Sequence, residues 1–159
     1  MLVPAVLYKS EIISKFQEKY YTEDMLFETG SLDNWIPDII DEPNASDYQF
    51  AIMDNSRKLV GYLCYNIDWY KSCASRFALM SFDKGNRNIG IAVYKTIKKL
   101  IYKYKLHRIE FRMVGENPVE RHYDKICSHF GGTKHILKDA IKDRYGKYHD
   151  DIIYEIIIN

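Results

Sequence analysis

The sequence has little of what would assign it to a specialised class of protein. Its 3 cysteines form no Cys-x-x-Cys pair, so neither a disulfide framework nor a thiol redox motif is indicated. Its net charge is only +1, without the basic excess of a dedicated nucleic-acid-binding protein. No apolar run approaches the roughly 18 residues that span a bilayer, and no basic segment precedes the apolar N-terminus as in a signal peptide. We therefore expect a cytoplasmic protein without a membrane partner.

The composition is that of a globular protein. Hydrophobic residues make up 47% and charged residues 28% of the chain, which is enough to build a buried core. We expect a single domain over residues 1–159. The 14 tyrosines are the most unusual part of the composition, and their amphipathic rings suit half-buried surfaces or the lining of a groove.

Hydrophobic periodicity predicts the order of the secondary structure elements. We expect a strand at 2–7, a helix from Ser10, short helices within 21–46, strands at 48–54, 59–68 and 76–82, a lysine-rich helix from about 93 to 104, a strand at 107–114, a helix ending near Phe130, and strands at 133–141 and 151–158. The first three long strands form an antiparallel meander, and the strand–helix–strand unit at 76–114 predicts a parallel pair. The last strand is apolar on both faces and should be an interior strand. The fold class is therefore α/β or α+β, with a mixed sheet.

The turn before the lysine-rich helix is the segment that best indicates a function. Gly85 and Gly90 allow backbone conformations or close approaches that a side chain would prevent. The first amide groups of a helix are unpaired, and the positive end of the helix dipole lies behind them. Arg87 adds a charged donor, and Ala92 keeps the first helical turn slim. This combination predicts a site for a phosphate group, although glycine turns before helices also occur for structural reasons alone.

The same segment resembles a known family. Arg87-x-x-Gly90-x-Ala92 is similar to the R/Q-x-x-G-x-G/A signature of the GCN5-related N-acetyltransferase (GNAT) superfamily, and the order of elements is similar over nearly the whole chain. The resemblance implies a mostly antiparallel sheet of about six to seven strands flanked by helices, with a splayed parallel pair that holds the cofactor. It also implies that residues 47–159 form the sheet and cofactor core, whereas 1–46 supply helices on the acceptor side.

The resemblance implies a role for particular residues in binding acetyl-CoA. The pyrophosphate would be held by backbone amides of the turn, and the acyl and pantetheine part would lie beside strand backbone at Met80 and Phe82. Asn117 would bond the pantetheine amides. The residues implied for the turn are Arg87, Asn88, Ile89, Gly90, Ile91 and Ala92.

The implied reaction is direct attack of an amine on the thioester, without a metal. Tyr123 would give a proton to the departing thiolate, and packing in a half-buried position is the alternative interpretation of this residue. Glu110 is the candidate base, although it shares a strand face with Arg112 and a surface ion pair would explain it too. Asp68 and Glu28 are weaker candidates for the base. The spacing of histidines around Cys127 is not that of a metal site.

The acceptor amine is not identified by any motif. We expect Phe27, Trp35 and Tyr65 to contact it, and the apolar residues within 21–46 could support a homodimer. Two alternatives to an N-acetyltransferase remain open at this point. One is a CoA-binding module that has lost catalysis and serves regulation or assembly. The other is a nucleic-acid-associated protein that uses the lysine-rich helix, which the near-neutral charge disfavours.

Overall fold

A computed structural model describes residues 1–20, 23–28 and 36–158, and within them the chain builds a seven-stranded mixed sheet flanked by helices. The strands lie in the order β1-β2-β3-β4-β5-β7-β6. The elements are β1 (Leu2–Pro4), α1 (Lys9–Lys19), β2 (Asp47–Met53), β3 (Leu59–Asp68), β4 (Cys73–Ser81), α2 (Arg87–Tyr102), β5 (Arg108–Val114), α3 (Glu120–His129), β6 (Thr133–Lys142) and β7 (Tyr148–Ile157), with 3-10 turns at Ala5–Tyr8 and Glu23–Phe27.

The two faces of the sheet are covered by different helices. Val93 and Ile97 of α2 and Tyr123 of α3 are buried against one face, the α2/α3 face. Ile12 and Phe16 of α1 are buried against the other, the α1 face. Since side chains alternate along a strand, each strand residue is assigned to one of these two faces. Burying a side chain such as Phe16, which is 0% exposed, stabilises the fold by about 1.5–3 kcal/mol.

A gap opens in the sheet between its parallel strands. β4 and β5 pair through Cys73↔Arg108, Ala74↔Ile109 and Phe77↔Phe111, and the pairing ends there although both strands continue. A bulge precedes the opening, where Arg76 has a φ of +53°. Beyond it, residues 78–81 of β4 pair only with β3, and residues 112–114 of β5 pair only with β7. The gap, as we use the word below, is this space between 78–81 and 112–114.

The predicted fold class and order of elements are confirmed, although the bounds of several elements differ. The expected strand at 2–7 ends at Pro4, whose fixed φ and missing N–H favour the 3-10 turn that follows. The lysine-rich helix begins at Arg87, earlier than its apolar repeat. The last strand, β7, is interior as predicted, between β5 and β6. No helix in the described part of the chain is long and apolar enough to cross a membrane.

Candidate active site

Ser81 is the residue at the mouth of the gap whose backbone points into it. Phe82 donates its backbone N–H to the Val60 oxygen of β3 at 2.9 Å, and Met80 pairs with Tyr62 of the same strand. Successive residues of an antiparallel strand direct their backbone groups to opposite sides. The N–H and C=O of Ser81 are therefore turned away from β3, towards β5.

This register corrects the predicted strand-backbone role of Met80 and Phe82. Their backbone groups serve the β3 ladder, and their side chains belong to the α1 face. Met80 is fully buried there, and the ring of Phe82 lies 5.7 Å from that of Phe16. Strand pairing fixes which residue faces the gap, and the sequence of one strand does not reveal that pairing.

Two charged side chains from the α1 side of the molecule bind the backbone groups of Ser81 that β3 leaves unpaired. Lys19 donates from Nζ to the Ser81 oxygen at 2.5 Å, and Ser81 N–H donates to Oε2 of Glu28 at 3.3 Å. The two side chains also pair with each other, with 3.3 Å between Lys19 Nζ and Glu28 Oε1. Burial raises the pKa of the Glu28 carboxyl above its usual value, because the loss of hydration outweighs the attraction of Lys19.

Asn117 forms the other side of the mouth of the gap. Its side chain is buried, donates from Nδ2 to the Phe27 oxygen at 2.5 Å, and accepts from Val119 N–H at 3.1 Å. Residues 27 and 28 therefore span the mouth, from Ser81 at the end of β4 to Asn117 after β5. The predicted bond from Asn117 to pantetheine amides stays a prediction, for which Nδ2 has a second N–H and Oδ1 a second lone pair.

The N-terminus of α2 lies directly after β4 and is open to solvent at its first turn. Arg87, Gly90 and Ile91 are exposed, whereas Ile89 and Ala92 point into the core, 8% and 4% exposed. Ile89 and Ala92 could therefore contact a ligand only through their backbone, as predicted for the turn. A Cβ added at Gly90 would have no atom within 4 Å, so the protein itself gives no packing reason for glycine here.

Asn86 is a residue of this turn that the motif did not identify. It is the N-cap of α2, and its Oδ1 accepts from Asn88 N–H at 3.0 Å. Its backbone oxygen accepts from Ile89 N–H at 3.1 Å, and its Nδ2 donates to Asp83 Oδ2 at 2.9 Å. An asparagine directly before a helix is the sequence signal that could have found it. A phosphate at this turn would compete with Asn86 for the same amide groups.

Tyr123 and Glu110 lie near the closed end of the gap, on opposite faces. Tyr123 is 4% exposed on the α2/α3 face, and its ring is 5.3 Å from that of Phe111, where the strand pairing ends. Glu110 precedes Phe111 on the α1 face and accepts from Arg108 Nη2 at 2.6 Å. The ion pair considered for Glu110 thus exists, but its partner is Arg108, since Arg112 binds Asp151 instead.

The predicted acceptor residues do not lie together. Tyr65 is 2% exposed on the α2/α3 face, where its ring stacks on Tyr48 at 5.1 Å and on Phe77 at 6.1 Å. Core packing accounts for this ring, and its predicted contact with an acceptor stays a prediction. Phe27 does lie at the mouth of the gap, with its ring centroid 6.1 Å from that of the buried His149. Trp35 lies outside the described residues, as do residues 21–22 and 29–34 of the segment 21–46 that was predicted to support a homodimer.

Two further predictions concern metals and cysteines. Among the residues that the structure describes, no group of three or more His, Cys, Asp or Glu side chains could hold a metal ion. The three cysteines, Cys64, Cys73 and Cys127, are free thiols. Burial raises the pKa of the Cys127 thiol, which disfavours its use as a nucleophile.

No protein-family model and no curated protein sequence matches this chain, but solved structures do. A chimera of Vibrio cholerae spermidine N-acetyltransferase SpeG and hSSAT is 18% identical with a TM-score of 0.59, over 72% of this chain and 68% of that one. The V. cholerae spermidine/spermine N-acetyltransferase SpeG, crystallised with manganese ions, is 18% identical with a TM-score of 0.57, over 72% and 66%. A structure described as a probable acetyltransferase is 17% identical with a TM-score of 0.56, over 71% and 63%. At these identities the similarity establishes the fold, which is that of the GNAT N-acetyltransferases, as the sequence predicted.

Proposed function

We propose that this protein is an N-acetyltransferase that transfers an acetyl group from acetyl-CoA to a primary amine. The observation that carries the proposal is the gap, in which no neighbouring strand pairs with the backbone of Ser81, and which continues into the exposed first turn of α2. Backbone groups in such a gap suit the amides of a pantetheine arm, and helix N-termini suit phosphate. The N-acetyltransferases with this fold support the same reaction. The free thiols agree with a cytoplasmic location, which is part of the proposal.

The chemistry needs two partners that reach the thioester from different faces. The CoA part would lie along the gap from the α2 side, with its phosphates over Gly90. The amine would arrive from the α1 face, where Phe27, Glu28 and Glu110 lie. Tyr123, on the opposite face at the closed end, would give a proton to the departing thiolate.

The alternative with a specific observation in its favour is a module that has lost catalysis. Glu28 and Lys19 already bind the Ser81 backbone, and the Phe27 oxygen already binds Asn117. If these contacts never open, the pantetheine arm cannot enter the gap, and the fold would serve regulation or assembly instead.

Two measurements test the proposal in sequence. Thermal unfolding is followed with increasing acetyl-CoA, since a ligand at 100 times its Kd stabilises by about 2.7 kcal/mol. Release of the CoA thiol is then measured with acetyl-CoA and a panel of primary amines, beginning with spermidine because the similar structures include spermidine N-acetyltransferases. A thermal shift with thiol release supports the enzyme, and a shift without release on any amine supports the silent module.

Matched variants locate the cofactor. Gly90→Trp should abolish the shift, whereas Lys95→Trp, an exposed position further along the same helix, should leave it intact. Equal shifts in the wild type and in Gly90→Trp would exclude the α2 turn as the cofactor site.

A further inference from the structure

The acceptor amine must lose its proton before it attacks, and three carboxylates were candidates for the base. Their positions differ sharply. Asp68 ends β3 opposite Cys73, at the far end of β4 from the gap, and its pKa is lowered by bonds from Lys71. Glu110 accepts from Arg108, which also donates to Glu155 at 2.6 Å. Glu28 is the one of the three whose carboxylate bonds to backbone inside the gap.

We propose that Glu28 is the general base, and that with the Ser81 oxygen it forms the binding site for the primary ammonium group of the acceptor. This inference rests on the proposed N-acetyltransferase function and assigns its proton transfer. Lys19 is a positioning residue, which holds the carboxylate at the mouth of the gap.

The contact of Lys19 shows the chemistry of this site. A primary ammonium group, Lys19 Nζ, is bound between the backbone oxygen of Ser81 and the carboxylate of Glu28. The ammonium group of an acceptor has the same three N–H donors and needs the same partners. A carboxylate has about four lone-pair positions, so Glu28 can bind Lys19 and an acceptor together after Ser81 N–H has turned to the pantetheine arm.

The surroundings of Glu28 suit a base better than those of the other two carboxylates. Its side chain is 12% exposed, and burial raises its pKa while Lys19 and Lys84 oppose that rise. Both cations favour the ionised carboxylate, and partial burial strengthens its affinity for a proton. A base with a pKa nearer to neutrality takes up a proton more readily than an exposed carboxylate.

The proposed transfer balances in protons and electrons. The acceptor ammonium gives one proton to a Glu28 carboxylate oxygen, and the neutral nitrogen attacks the thioester carbonyl carbon. An N–C bond forms, the C–S bond breaks, and the sulfur leaves with the electron pair of that bond. The second nitrogen proton passes to water as the amide forms, and the thiolate takes up one proton, from water or from Tyr123, which water then reprotonates. The proton on Glu28 returns to solvent.

The test compares Glu28→Gln with Glu18→Gln, which changes an exposed α1 glutamate that pairs with Lys15. Glutamine keeps an oxygen for Ser81 N–H but cannot accept the acceptor's proton. With spermidine as the probe, Glu28→Gln should lower kcat/KM at pH 7 by roughly 100- to 1,000-fold, within the usual range for a lost general base. The thermal shift caused by acetyl-CoA should not change, and Glu18→Gln should match the wild type in both measurements.

The pH profile separates a base from a structural contact. Without Glu28 the reactive species is the free amine, so the activity of Glu28→Gln should rise about tenfold per pH unit until the amine's own pKa, near 10.4 for a lysine-like amine. The kcat/KM of the wild type should stay constant between pH 7 and the pKa of the amine, and it should fall only at low pH, where Glu28 is protonated. In Lys19→Met, the loss of activity at low pH should begin at a higher pH than in the wild type, because Lys19 lowers the pKa of Glu28.

Each result has one meaning. If Glu28→Gln loses activity but its pH profile keeps the shape of the wild-type profile, Glu28 is a structural residue and the proposal is overturned. Unchanged activity in Glu28→Gln would overturn it as well, while leaving the N-acetyltransferase intact. No thiol release by the wild type with spermidine or the other amines would overturn the proposed function and the role of Glu28 with it.

Discussion

Replacing Gly90 by alanine should stabilise the protein and weaken its binding of acetyl-CoA. Gly90 lies in the first turn of α2, is exposed, and a Cβ there would have no neighbouring atom within 4 Å. Alanine is favoured over glycine inside a helix by about 0.8–1.0 kcal/mol. The midpoint of thermal unfolding should therefore rise by about 2–4 °C for a protein of this size.

The same methyl group would lie where we expect the cofactor phosphates. One misplaced carbon in a binding site costs about 1–3 kcal/mol, so the Kd for acetyl-CoA should increase by about tenfold or more. Calorimetric titration measures that Kd, and thermal unfolding without ligand measures the stability. Higher stability together with weaker binding of acetyl-CoA would show that glycine is kept for the ligand and not for the fold.

Lys95→Ala is the matched control, since it also shortens an exposed side chain on α2 but lies beyond the first turn. It should change neither the melting midpoint nor the Kd appreciably. A stabilised Gly90→Ala protein that binds acetyl-CoA as tightly as the wild type would refute the phosphate site.

The remaining predictions concern Glu28, Tyr123 and Gly132. Because burial raises the pKa of Glu28 in the folded protein, its contribution to stability is present at low pH and is lost as the pH rises through that pKa. The midpoint of thermal unfolding of Glu28→Gln, relative to that of the wild type, should therefore be higher at pH 7 than at pH 4. Tyr123→Phe should lower kcat in the thiol-release assay while the Kd for acetyl-CoA stays unchanged; equal loss of both would assign Tyr123 to packing. A Cβ at Gly132 would lie 2.6 Å from Cys127 Sγ and 2.7 Å from the Glu155 oxygen, so Gly132→Ala should cost about 1–3 kcal/mol in chemical denaturation, and a neutral result would contradict the close packing of α3 on β7.

Local patterns were sufficient for the secondary structure and for the turn. The apolar repeat of α2 and the alternation of β2, β3 and β4 depend on residues close in sequence, and the resulting elements agree with the predicted ones. Gly90 and Arg87 could be singled out for the same reason, because a strand–turn–helix unit is itself local. The tyrosines were harder to interpret, since an amphipathic ring fits core and groove equally well. Tyr65 belongs to the core stack.

The carboxylates show the limit of the sequence most clearly. Glu110 and Glu28 are both acidic residues near apolar ones, and nothing local distinguishes a base from an ion pair. Arg108 and Glu155 are 47 residues apart, and Glu28 and Ser81 are 53 residues apart, so both environments arise from contacts between distant segments.

The amino-acid sequence alone was enough for the order of the elements, the parallel pair and the glycine-bearing turn before α2, because periodicity and turn chemistry act over a few residues. Only the tertiary structure decided that Ser81, rather than Met80 or Phe82, faces the gap, and that Glu28 reaches it. The physical reason is that backbone groups point to alternate sides of a strand, so a one-residue change in pairing register exchanges the residues that face a ligand. That register is set by the neighbouring strand and by the bulge at Arg76, neither of which the sequence of β4 specifies.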